Sequence, residues 1–197
     1  MKLREDNPAL TEHRTVFPYR VKTVTEVKRV LQSVAHNKKL GNGVPVVAKG
    51  KWRGMAAFTF TLEERKTCDP NCVMARECYG NAMRYATRIS NDDPGALMAK
   101  IEGEAKALLR TYGKILIRPH VLGDMFSVEY ALFWRRLVLE HKGLHIFGFT
   151  QWSPDSEIGR AVHIAVAVAV EMGEHRDPAL VHHPLDEAAP PARHDHV

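Results

Sequence analysis

Between Ala56 and Met172, strand-forming and helix-forming stretches take turns, and that alternation leaves few folds open to the chain. Ala56 to Leu62 (Ala-Ala-Phe-Thr-Phe-Thr-Leu) is rich in residues that suit a pleated sheet. Asn91-Asp-Asp-Pro-Gly95 is a turn that opens a helix. From Ala96 to Tyr112, Leu97, Ile101, Ala105, Leu108 and Leu109 then recur at helical spacing. Lys114 to His120 reads as a buried strand, and Gly123-Asp124 marks the turn after it. Ser127 is placed to cap a second helix that packs Tyr130, Leu132, Phe133, Trp134, Leu137 and Val138 inward and ends at Gly143. Leu144 to Thr150 is a third strand. Ser153-Pro-Asp155 resembles an N-cap with proline at the first helical position, and a helix over 158–172 follows. The order predicts an α/β fold with a parallel sheet and right-handed crossovers. Three units are too few to close an eight-stranded barrel, so the expectation is a partial (β/α) barrel or an open parallel sheet.

The flanks differ in character. Residues 1–43 predict a basic N-terminal helical and extended arm, broken by Pro8 and Pro18, with a helix from Thr23 to His36 carried by Val24, Val27, Val30, Leu31 and Val34. Residues 44–176 predict an α/β domain, expected to be metal-binding on the strength of the cysteine loop described next. In this domain Val44, Val46 and Val47 are extended, Gly50 to Gly54 turns around an exposed Trp52, and Arg76 to Arg88 is partly helical. Residues 177–197, rich in proline, histidine and acid, predict a disordered tail.

The chemistry concentrates in one loop. Cys68, Cys72 and Cys78, the three cysteines of the chain, all fall in Thr67-Cys-Asp-Pro-Asn-Cys-Val-Met-Ala-Arg-Glu-Cys-Tyr79. An odd number cannot all pair as disulfides, and a local trio of thiolates suits a metal. Three thiolates fill three positions of a four-position metal or cluster and leave the fourth to another group. Iron–sulfur and zinc are both compatible with this donor set.

Three segments fall after the three strands: the cysteine loop, then His120, Gly123 and Asp124, then Thr150, Gln151 and Trp152. In a parallel sheet all three reach the same carboxyl-end rim, where ligands of such folds bind. Gly123 permits close backbone approach, Asp124 can accept from a ligand ammonium or hydroxyl, and His120 is a candidate fourth metal ligand or proton carrier. Tyr79 is placed to pack on a cluster or a bound base, and Arg118 to pair with a carboxylate.

Charge adds a second line. Residues 1–66 carry fourteen Lys and Arg against six Asp and Glu, a balance of +8, whereas residues 67–197 balance at −3. The basic front half, with Lys38, Lys39, Lys49, Lys51 and Arg53 around Trp52, could attract nucleic acid. No apolar run approaches the roughly 20 residues of a membrane span, and the N-terminus has no signal-peptide core, so a cytoplasmic location without a membrane partner is expected. Phosphate-binding glycine loops, serine elbows and His-Glu-x-x-His zinc sites are absent from the sequence.

Thr61-Leu-Glu-Glu-Arg-Lys-Thr-Cys68, Cys78-Tyr-Gly-Asn-Ala82, Arg118-Pro-His-Val-Leu-Gly-Asp-Met-Phe-Ser127 and Phe147-Gly-Phe-Thr150 together resemble the phage-associated "gene product 88" family and its prophage relatives, over roughly residues 40–165. That family is similar in turn to radical S-adenosylmethionine proteins. The resemblance implies that Cys68, Cys72 and Cys78 hold a 4Fe–4S cluster whose remaining iron binds S-adenosylmethionine. It also implies that Gly123 and Asp124 face that cofactor; Tyr79 and Thr150, from the reading of the rim above, are counted as cofactor-binding with them. The cysteine intervals of three and then five residues differ in the second interval from the three-then-two of the radical enzymes. The rival expectations are a zinc-stabilised nucleic-acid-binding module and a non-catalytic accessory phage protein.

Overall fold

The computed structural model describes residues 1–36, 43–163 and 180–182. In chain order the strands are β1 (Val21–Lys22), β2 (Gln32–Ser33), β3 (Ala56–Thr59), β4 (Arg88–Ile89), β5 (Ile115–Arg118), β6 (Leu144–Ile146), β7 (Gly148–Thr150) and β8 (Leu180–His182). The helices are α1 (Pro8–Thr11), α2 (Pro94–Tyr112) and α3 (Val128–Glu140), and residues 157–163 are also helical. The protein is a mixed α/β fold built on one four-stranded sheet of order β2-β3-β5-β6. The pairs β3–β5 and β5–β6 are parallel, and β2 runs antiparallel to β3. Two smaller parallel pairs, β1–β4 and β7–β8, flank it.

Period-two alternation decides which face each strand residue buries. Ala56, Phe58, Ile115 and Ile117 belong to the main core with Leu97, Ile101 and Ala105 of α2 and Tyr130, Phe133, Trp134 and Leu137 of α3. Ala57 and Leu116 point the other way, into a smaller cluster with Val34 and Val47 that Trp52, Met55 and Phe147 cover. Each long helix starts where a side chain satisfies an orphan backbone donor. Asp93 accepts from Ala96 N before Pro94, and Ser127 accepts from Tyr130 N. Gly113 ends α2 with φ of 71°, which lets the chain turn straight into β5.

The three parallel strands, both long helices and their starts agree with the sequence expectation. Several neighbours do not. No α-helix forms over 23–36; only Val34–His36 at its end make a single 3-10 turn. Thr23 and Glu26 close a single turn, and the backbone N–H groups of Val30 and Leu31 instead donate to the Glu104 carboxylate on α2. β-branched residues crowd this stretch, so its helix was weak and a tertiary partner overrode it. Val24, Val30 and Leu31 thereby join the main core. The third strand breaks at Phe147, whose N–H donates to Ile117 O, into β6 and β7. His141 rather than Gly143 caps α3, and Ser156 rather than Ser153 accepts from Gly159 at the next helix start. Trp52 is half-buried against Phe147, with ring centres 5.5 Å apart, instead of exposed. Residues 180–182, expected in a disordered tail, form β8. The remainder of that tail, the helix expected beyond residue 163, and Lys38 and Lys39 lie outside the described residues.

Ile101 is fully buried between the sheet and both helices. Ile101→Ala is expected to lower unfolding free energy by about 2–5 kcal/mol in a denaturant titration. Leu132→Ala, on an exposed position of α3, should change it by less than about 1 kcal/mol.

Candidate metal and cofactor site

The carboxyl ends of β3, β5 and β7 open onto one cavity of about 580 Å³. Cys68, Cys72 and Cys78 line it together with Tyr79, Arg118, His120, Gly123, Asp124 and Gln151. β3, β5 and β6 run parallel, and β7 continues the chain from β6 after Phe147, so the segments that follow these strands reach the same rim.

None of the three cysteines is in a disulfide, and each is half-buried. Burial raises all three thiols above their ordinary range, and Cys68 reaches about 12. The negative charge of Asp124 and the proximity of Cys72 and Cys78 add to the shift at Cys68. At neutral pH these are protonated thiols, and a metal must displace their protons to bind. Among the described residues, the one trio of His, Cys, Asp or Glu donor atoms lying within 4.8 Å of one another is Glu102, Glu140 and His141. Arg136 already bridges those two carboxylates. The three sulfurs therefore share a cavity wall without crowding to that distance. A single tetrahedral zinc, with Zn–S bonds of about 2.3 Å, would hold them about 3.8 Å apart. In a polynuclear cluster each thiolate takes a different iron, so its sulfurs stand further apart.

Asp124 is the acid of the site. It is 3% exposed, and its carboxylate accepts from Met125 N (2.8 Å), Gln151 N (2.8 Å) and Thr150 Oγ1 (3.1 Å). A carboxylate offers about four lone-pair directions, so three donors leave one for a ligand. Burial outweighs these hydrogen bonds and lifts Asp124 to about 6. Thr150 is buried and touches Asp124, so it positions the acid instead of lining the cavity itself. Gly123 precedes Asp124 with φ of 84°. A Cβ there would lie 2.5 Å from Thr67 Oγ1 and 2.7 Å from Leu62 Cβ, so only glycine lets the two rim turns meet. Across that contact Thr67 Oγ1 accepts from Asp124 N, which ties the cysteine loop to the acid.

His120 borders the cavity, but its Nε2 lies 3.1 Å from the Tyr130 hydroxyl and its ring packs edge-on against Phe60. Burial drives it down to about 3, so it is a neutral core histidine. The structure does not draw it in among the sulfurs. Tyr79 is 57% exposed at the cavity wall.

Sequence reasoning missed the floor of the site. Glu64 and Arg88 are both fully buried and pair at 2.7 Å. Arg88 also donates to the carbonyls of Gly80, Met83 and Ala86, while Thr15 Oγ1 donates to Glu64. Arg65 donates to Ala75 O, Arg14 O and the Asn81 side chain. The arm is likewise part of the wall: Glu5, Leu10 and His13 line the cavity, and Arg76 pairs with Glu5. A signal was present in Glu63-Glu64-Arg65, an acidic pair in the otherwise basic first 66 residues, abutting the cysteine loop. His13, Arg65 and His120, the non-glycine residues with positive φ among those described, all border this cavity. Such backbone strain collects at ligand sites, where surrounding contacts hold it in place.

Compared with protein-family models, curated proteins and solved structures, the chain matches none. No helix among the described residues is long and apolar enough to cross a membrane.

Glu64→Gln would strand a buried guanidinium and is expected to cost about 3–5 kcal/mol of stability. Glu102→Gln, in a more exposed ion-pair network, should cost about 1 kcal/mol or less. Asp124 predicts a pH effect. A folded-state acid raised to about 6 contributes stability below its unfolded value of about 4, and that contribution is lost as pH rises through about 6. Asp124→Asn should therefore gain melting temperature relative to the parent metal-free protein between pH 4 and 7, as read by parallel thermal scans.

Proposed function

We propose that this chain is an iron–sulfur protein of the radical S-adenosylmethionine type, with Cys68, Cys72 and Cys78 each holding one iron of a 4Fe–4S cluster. One observation carries the reading. Three unpaired thiols and a buried carboxylate with a spare acceptor direction face one cavity at the carboxyl edge of a parallel sheet. The cavity, at about 580 Å³, falls within the range of cofactor-sized pockets. Such a cluster, when bound, supplies one electron for reductive cleavage of S-adenosylmethionine.

The protein's own residues bind and orient. Asp124, held by Thr150 and by the backbone of Gln151 and Met125, accepts from the cofactor's ammonium. Gly123 brings the backbone against the ligand, and Tyr79 gives it an aromatic wall. Arg118, which has no carboxylate partner among the described residues, offers its guanidinium to a carboxylate. The arm residues Glu5, Leu10 and His13 limit water on the open side. The sequential order β3-β5-β6 favours a partial barrel wall over a doubly wound sheet, in which the order reverses.

Reconstitution with iron and sulfide under anaerobic conditions is the test. A brown protein with about four irons and four sulfides per chain is expected, and S-adenosylmethionine should perturb the spectrum of its reduced cluster. Each single Cys→Ser change should lose most of the cluster, and Asp124→Asn should keep the cluster while weakening the cofactor-induced change. A colourless product that holds stoichiometric zinc would overturn the reading.

A further inference from the structure

A second surface, away from the thiols, pairs exposed rings with uncommitted cations. Tyr19 and Tyr85 are 64% and 75% exposed, although large aromatic side chains usually bury most of their area. The Arg20 guanidinium lies 5.6 Å from the Tyr19 ring centre and 5.8 Å from that of Tyr85. Arg84 stacks on Tyr85 at 5.2 Å. The patch thus alternates ring, cation, ring, cation. Its residues come from two distant segments, which the parallel pairing of β1 with β4 (Val21 with Arg88) brings together.

The patch stands on a fixed base. Phe17 meets Tyr19 edge-on at 6.2 Å, and the buried Arg88 lies 5.1 Å over Phe17. Among the described residues neither Arg20 nor Arg84 has a carboxylate partner, and Arg20 Nε is buried without a hydrogen-bond acceptor. A ligand that satisfies such a surface must offer flat apolar faces and anionic groups at short repeat. Single-stranded nucleic acid does so, because its bases are free to stack and its phosphates to pair. A duplex hides the base faces. The chain's net charge of +5 favours the approach of a polyanion. The same pairing recurs at the mouth of the cavity, where Arg118 lies 5.9 Å over the half-exposed Phe149.

We infer that Tyr19, Arg20, Arg84 and Tyr85 form a docking platform for single-stranded nucleic acid. The platform draws one cation, Arg20, from the basic front half and one, Arg84, from beyond it, and it does not use Trp52, which packs on Phe147. The platform does not depend on what the cysteines hold.

Fluorescence anisotropy with a labelled oligothymidylate of about twelve nucleotides, which fits the span of a small binding face, tests it against the same strand in duplex form. The full chain should bind the single strand more tightly than the duplex. Tyr85→Ala should weaken binding about tenfold, and Tyr85→Trp should restore it. Arg84→Ala should flatten the salt dependence by about 0.7 in slope for each phosphate that the arginine neutralises. Tyr112→Ala, an exposed ring elsewhere, should bind as the parent does. Absence of single-strand binding at low salt, parental affinity in a folded Tyr85→Ala protein, or duplex binding as tight as single-strand binding would overturn the assignment. The last result would mean generic attraction of a polyanion.

Discussion

A buried ion pair, Glu64 with Arg88, organises the side of the molecule that carries the chemistry. Two charges taken out of water are costly, and such a pair survives only when its remaining donors and acceptors are met. Here they are met by distant parts of the chain. Arg88 reaches three carbonyls around the turn after Cys78, and Glu64 accepts from Thr15 of the arm. Gly80 makes room: a Cβ there would stand 3.1 Å from Glu64 Oε1. One polar knot therefore sets the arm, the end of the cysteine loop and β4 relative to β3. The ring of Phe17, and with it the exposed Tyr19, rests on the same guanidinium.

The rim is held more tightly than its loop character suggests. Thr67 links the cysteine loop to Asp124, and Asp124 links in turn to Thr150 and Gln151. Positive φ at Arg65 and His120 places strained backbone just beyond β3 and β5. Neighbouring contacts sustain this strain: Arg65 is locked by three acceptors and His120 by Tyr130 and Phe60. The site thus combines a rigid acid with thiols that burial holds in the protonated form.

Legibility in the sequence followed the range of the forces involved. Helix α2 was readable because Asp93, Pro94 and the spacing of Leu97, Ile101 and Ala105 all act within one helix. The parallel strands were readable from their short apolar runs. The stretch 23–36 was misread because its apolar spacing suits a helix, while its fate was decided by the Glu104 carboxylate more than 70 residues away. His120 was readable as a rim residue, but not as one whose nitrogen meets Tyr130. The arm read as polar and loose, yet contacts at Thr15, Leu10 and Glu5 make it part of the cavity wall.

Residue order alone determined the donor chemistry and the rim: three clustered thiols after one strand, a glycine-acid turn after the next, and a threonine after the third. Local spacing and the handedness of parallel crossovers suffice for that much. The tertiary structure decided which charges are buried, where the arm lies and which exposed rings share a cation. Those outcomes depend on desolvation and on contacts between segments tens of residues apart, and a local pattern carries no information about either.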